Sequence, residues 1–259
     1  MSVTTAGSIE VASVSLEAPW RWLGQGWRDT WRRPAFSLGY GALLTLAGLV
    51  LAGSCWEFGL AALIPVLASG FMLVGPILAV GLYEMSHRYE LGEDFSLSDI
   101  LFVRTASRVQ LFYLGFGLMF LILAWIRIAT LLFALLVAGT YPDLNDFAVF
   151  VLTTSNGLAL AIIGTLIGGA IAFFVFAVSV ISVPMLMDRE IDFATAIMAS
   201  VDAVKRNPGP MLLWAWLIAL LIGFGLATLF AGLIIVFPLV AHATWHAYRE
   251  LAPRSDRVG

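Results

Sequence analysis

Residues 68–99 read ASGFMLVGPILAVGLYEMSHRYELGEDFSLSD. The first half is apolar and broken only by Gly70, Gly75 and Pro76. The second half turns charged at Glu84, Arg88, Glu90, Glu93 and Asp94, and Ser96 and Asp99 then stand at capping-box spacing. Counted back to Leu60, the apolar run up to Met85 exceeds the ~20 residues that a helix needs to cross a bilayer. The stretch therefore reads as the end of a membrane span, a charged exit, and the start of another helix. The same order can be traced three times along the chain.

Composition agrees with this reading. Hydrophobic residues make up 61%, charged residues 12%, and the mean hydropathy is +0.95. A soluble core of 259 residues could not cover so much apolar surface, whereas a bilayer can. The net charge of −3 is small and says nothing about nucleic acid, but no basic nucleic-acid face is visible. A single cysteine, Cys55, excludes an internal disulfide and a multi-cysteine metal site. Residues 1–18 are polar and weakly patterned, so they read as a disordered tail without a cleavable signal, and the first span becomes the insertion signal.

Working outward, Trp20–Arg33 places Trp20, Leu23, Trp27 and Trp31 at helical spacing. That stripe suits either a helix in the headgroup layer or one packed on the protein's own inner face. Span 1 covers Phe36–Gly53 and span 2 Leu60–Met85; the prolines of span 2 imply a kink. A short helix runs from Ser96 to Arg108, span 3 covers Leu111–Val137, and Thr140–Asn156 is a loop holding Asp143 and Asp146. Span 4 follows over Leu158–Met187, with Gly164 and Gly168 at the spacing of close helix packing. Asp192 can cap a third amphipathic helix with Phe193, Ile197, Val201 and Val204 on one face. Met211–Tyr248 is just long enough for two short spans turning near Thr228.

The expected fold is an all-α membrane protein. Six transmembrane helices form three repeats of amphipathic helix plus transmembrane hairpin, in one domain over residues 19–251. The units are 19–94, 95–190 and 191–251, followed by a tail at 252–259. With both termini cytoplasmic, 13 of the 14 basic residues lie inside, which is the bias that orients membrane proteins.

The exception is Arg127, ~24 Å along its helix from Leu111 and so within the hydrocarbon. A charge there needs a partner or a wet cavity, and Glu57, Asp143, Asp146 or a freed span-2 carbonyl near Pro65 are candidates. Glu84, Asp188, His242 and His246 all fall at the inner ends of proline-bearing spans. If those ends converge, the four line one inner-face polar pocket. His242 and His246 are four residues apart, a spacing that can serve a metal or haem, but no third ligand is evident. No phosphate loop and no nucleophile with its base is visible, so neither a cofactor nor a metal is assigned.

The blocks RRPAFSLGYGALLTLAGL, ASGFMLVGPILAVGLYEMSHRYELGE, VPMLMDREIDFATAI, NPGPMLLWA and PLVAHATWHAYREL together resemble a bacterial family of integral membrane proteins, domain of unknown function 2189. The resemblance runs from about Trp27 to Leu251 and implies a bacterial inner-membrane protein of several helices with no established activity. It leaves three functions open. The first is a non-enzymatic scaffold, accessory or assembly factor touching the lipid bilayer and other membrane subunits. The second is a small-solute or lipid transporter using Arg127 or the inner pocket. The third is haem or metal binding through His242 and His246.

Overall fold

In the computed structural model, which describes residues 9–60, 63–137 and 144–254, all regular structure is helical. The first half holds α1 (Ala18–Arg32), α2 (Pro34–Glu57), α3 (Ile64–Leu78), α4 (Val80–Leu91), α5 (Leu97–Leu101) and α6 (Arg108–Leu136). The second holds α7 (Leu144–Thr153), α8 (Ser155–Ser179), α9 (Ser182–Asp188), α10 (Phe193–Arg206), α11 (Pro208–Ala227) and α12 (Leu233–Leu251). Four helices are long and apolar enough to cross a membrane: α2, α6, the nearly continuous α8–α9, and α11. This is a multi-pass integral membrane protein.

The other two expected crossings, span 2 and the helix α12, are not among these four, and two of the expected spans are interrupted. The stretch expected as span 2 is divided at Ala79 into α3 and α4. Pro76 removes a ladder hydrogen bond just before that break, and α4 continues with a charged face. The stretch expected as span 4 is likewise interrupted after Ser179. There the Ile181 amide donates to Ser200 Oγ of α10 at 3.3 Å, so a side chain serves the broken backbone. The turn between α11 and α12 falls at Thr228–Gly232, with Leu229 and Phe230 at positive φ.

The short helix expected over Ser96–Arg108 stops at Leu101. Its start is as expected, since Asp99 Oδ2 accepts from the Ser96 amide at 2.8 Å. Beyond it the chain is drawn onto the end of α9, where the amides of Ala106 and Ser107 donate to the carbonyls of Met187 and Leu186. Those last-turn carbonyls have no partner within their own helix, so the loop satisfies them. The loop expected over Thr140–Asn156 contains α7, while Asp143 and the side chain of Asp146 lie outside what the structure describes.

The tail expected to be disordered holds structure from Ile9 onward. The Ala12 amide donates to Leu251 O at 2.9 Å, and Asn207 receives the Val14 amide at 2.8 Å. Val11 is buried in the main core.

The faces by which the amphipathic helices pack differ from their most apolar stripes. In α1 the buried residues are Ala18, Pro19, Trp22, Gly26, Asp29 and Thr30, while Trp20, Trp27 and Trp31 are exposed. In α10 Ala196, Ala199, Ser200 and Ala203 are buried, while Phe193 is exposed and Ile197, Val201 and Val204 are only partly covered. Lipid gives large apolar side chains little reason to turn inward, so small residues that allow close approach make the contacts. At Gly26 an added Cβ would lie 2.6 Å from the Ala243 nitrogen, so only glycine lets α1 settle on α12. Of the glycine pair in α8, Gly168 faces the Trp125 ring at 2.8 Å from such a Cβ, whereas Gly164 meets nothing.

α12 is the centre of the molecule. It packs against α1, α2, α4 and α11, and thirteen of its 19 residues are buried. Around it, α5 lies on α4, and α10 lies on α8 and α9.

Candidate functional site

Charged and polar side chains from α1, α4, α9 and α12 meet at one end of the helices. They form two clusters on opposite flanks of α12.

The first is built on Asp29. His246 Nε2 stands 2.8 Å from Asp29 Oδ2, and Ser86 Oγ donates to the same oxygen at 2.7 Å. Ser86 Oγ also meets His242 Nδ1 at 2.8 Å, and His242 Nε2 meets Ser37 Oγ at 3.2 Å. Because the Ser86 proton points to the carboxylate, its oxygen accepts from His242 Nδ1–H. The Nε2 of a neutral His242 then accepts from the Ser37 hydroxyl. A directional chain thus runs Ser37, His242, Ser86, Asp29, with His246 closing the far end. Burial pushes the Asp29 carboxyl up, but the hydrogen bonds from His246 and Ser86 and the charge of His246 outweigh it, leaving its pKa below the usual value. An open recess between α1 and α12, lined by Gln25, Arg28, Asp29 and His246, brings the outer end of this chain to the surface.

The second cluster is built on Asp188, whose side chain is fully covered. Arg254 pairs with one carboxylate oxygen, while Arg249 Nη1 at 3.7 Å and Arg189 Nε at 3.8 Å face the other. The Tyr248 hydroxyl donates to that second oxygen and accepts from Arg189 Nε at 2.8 Å. His87 stands between Asp188 and Glu84, 3.7 Å from a carboxylate oxygen of each. Glu84 also holds Arg88 at 2.6 Å, and Arg249 Nε reaches Glu90 at 3.1 Å.

Of the residues singled out beforehand, Glu84 and Asp188 are joined through His87, and His242 and His246 are joined through Asp29 and Ser86. The four do not share one pocket, because Trp245 of α12, packed on His87 at 5.2 Å between ring centres, belongs to the Asp188 flank. Arg127 and Glu57 are not brought together. Both are exposed, and neither forms an ion pair with any described residue. Asp29, Ser86, Ser37, His87 and Tyr248 were missed as site residues. Asp29 carried a signal, since it lies seven residues after Trp22 and three after Gly26, on the face opposite the tryptophan stripe.

Chemically the two clusters hold helices together. Every carboxylate in them faces a donor or a cation, and among the described residues no group of three His, Cys, Asp or Glu is placed to hold a metal. Residues 63–188 match the model of a family described as predicted integral membrane proteins, DUF2189. The DUF2189 match starts just before α3 and ends at Asp188, so it contains Glu84, Ser86, His87, Arg127 and Asp188. Asp29, His242 and His246 lie outside it. No curated protein and no solved structure matches the chain.

Proposed function

We propose that the chain is a non-enzymatic scaffold, accessory or assembly factor of the bacterial inner membrane, with six crossings and both termini in the cytoplasm. One observation carries the functional reading. The ionisable groups at the charged end are engaged with one another, while the wide outer faces of α2, α6, α8 and α11 stay uncovered. Leu114 and Leu118 are the only buried residues of α6, and its outer face, with Phe112, Phe116, Phe120, Leu131 and Leu135, is open to lipid or to another subunit. The exposed row Trp20, Trp27 and Trp31 adds an aromatic edge suited to the headgroup layer.

Several features support the six-span, three-unit architecture. α3 with α4, and α12, run beside the long spans and supply the second arms of hairpins that begin with α2 and α11. Each amphipathic helix lies on the second arm of the unit before it, taken cyclically: α1 on α12, α5 on α4, α10 on α8 and α9. The residues that lead into the first arms have matching backbones: Arg33 (φ −138, ψ 75), Ser107 (φ −120, ψ 61) and Asn207 (φ −125, ψ 53). Arg33, Arg88, Arg189, Arg249 and Arg254 all form their ion pairs at the charged end, which supports a cytoplasmic assignment for it.

Two measurements test this reading. A reporter active only in the cytoplasm, fused after Gly259, is expected to be active; a well-expressed but inactive fusion overturns the orientation. Chemical cross-linking at native expression, then gentle solubilisation, is expected to yield a defined larger complex. A solitary chain that drives solute uptake in proteoliposomes would establish the transporter instead.

A further inference from the structure

Following the units round the molecule, α11 is expected to lie on α8 as α6 lies on α3 and α2 on α12. Instead α8 and α11 stand apart, and a cavity of about 460 Å³ occupies the space, closed behind by α3, α4 and α12. Pockets that hold small organic molecules span ~300–1,000 Å³. Its walls are apolar, with Leu73, Phe173 and Phe237 among them. They extend from Leu73 to Tyr83 on one side, a rise of ~15 Å for helical backbone.

The polar groups sit at one level, nearest the charged end: Tyr83, Ser179 and Thr244. Two of the hydroxyls are already used within their own helices, Ser179 Oγ on Val175 O at 2.6 Å and Thr244 Oγ1 on Val240 O at 2.8 Å. Tyr83 is only 2% exposed, yet its hydroxyl has no hydrogen-bond partner among the described residues. Lining the cavity, this hydroxyl is free to donate to whatever fills the space. At the rim, Leu212 and Trp216 of α11 and Phe173 of α8 are exposed on helices that face lipid, so the molecules with access are those of the bilayer.

We propose that this crevice binds one acyl chain of a membrane glycerolipid, entering sideways between α8 and α11, with the ester carbonyl accepting from the Tyr83 hydroxyl. The chain runs from the level of Tyr83 and Thr244 toward the membrane centre, lying along Phe173 and Phe237. The headgroup stays at the charged end, near the arginines. This site is independent of the scaffold role, because a chain-filled crevice is compatible with a complex or a solitary protein.

The test uses the full chain in nanodiscs of phosphatidylethanolamine and phosphatidylglycerol carrying a photoactivatable palmitoyl chain. On illumination, adducts are expected on Phe173, Trp216 or Phe237. After transfer to mild detergent, native mass spectrometry is expected to show one retained phospholipid. Ala219→Phe, which fills the cavity from α11, is expected to lower both signals at least 10-fold while leaving the thermal unfolding temperature close to the original. Tyr83→Phe keeps the ring, removes one hydrogen bond, and is expected to weaken retention about 3–10-fold. Adducts confined to the outer faces of α2 and α6 overturn the site. Retention of an isoprenoid in place of a phospholipid overturns the acyl assignment. Should Ala219→Phe not fold, adduct positions in the unaltered chain and the Tyr83→Phe ratio still decide the matter.

Discussion

α6 and α12 show how differently two helices of this protein are made. α6 has 29 residues, is apolar almost throughout, and fully buries only Leu114 and Leu118. α12 has 19, contains two histidines, a tyrosine, an arginine and a glutamate, and buries thirteen of them all told. In a soluble protein the more apolar helix would be the inner one. Here hydrocarbon already surrounds α6 with a suitable solvent, so no free energy is gained by covering it. Polar groups must find partners away from lipid, and they gather on the helix that the others enclose.

The comparison can be broken most severely at Asp188. Asp188→Asn leaves Arg189, Arg249 and Arg254 around a neutral side chain, and removing one partner of a buried pair costs about 3–5 kcal/mol. Thermal unfolding in detergent is expected to show a loss on that scale; an unchanged midpoint would mean that the cluster does not hold α9 to α12.

A smaller effect is expected at the seam between α1 and α12. Gly26→Val places a branched side chain where even a Cβ lies 2.6 Å from the Ala243 nitrogen, an overpacking worth about 1–3 kcal/mol. Gly24→Val is the control, since a Cβ there meets nothing within 4 Å. Equal unfolding midpoints for the two variants would sink the close approach of the helices.

Asp29 lends itself to a pH measurement. Its folded pKa lies below the ordinary 3.8, so its contribution is fully present above that value and fades as the pH falls through the depressed one. Asp29→Asn is expected to cost about 1–2 kcal/mol at neutral pH, through the loss of charge-assisted hydrogen bonds to Ser86 and His246. It is also expected to flatten the acid limb of stability below about pH 4. A variant as acid-sensitive as the parent would place the titration elsewhere.

The smallest effect belongs to Arg127, on the lipid-facing helix. With no partner among the described residues, Arg127→Leu is expected to leave stability unchanged within about 0.5 kcal/mol or to raise it, with or without Glu57→Gln. A loss that Glu57→Gln restores would reinstate the ion pair.

Much of the architecture was legible because its signals are local. Ser96 with Asp99, Asp192 with Thr195, and the Thr228–Gly232 turn all act within a few residues of themselves. Glu84, Asp188, His242 and His246 stand out in the sequence because each follows a proline late in its span, but that spacing does not say which of them meet. Which face of each helix turns inward was not legible. The tryptophans of α1 form its most conspicuous stripe and stay outside, because a lipid-facing tryptophan loses nothing by remaining there.

By itself the sequence determined a helical membrane protein, the order of its long apolar helices, and the end at which its charges collect. Each follows from the length of an apolar run, from a capping side chain, or from the spacing of charges along the chain. Only the tertiary structure decided that α12 is central, that Asp29 meets His246 across 217 positions of sequence, and that α8 and α11 part around a cavity. Those outcomes depend on which small residues let two backbones approach and which buried polar atom lies within hydrogen-bond reach. These are distances between segments, and periodicity within one segment does not contain them.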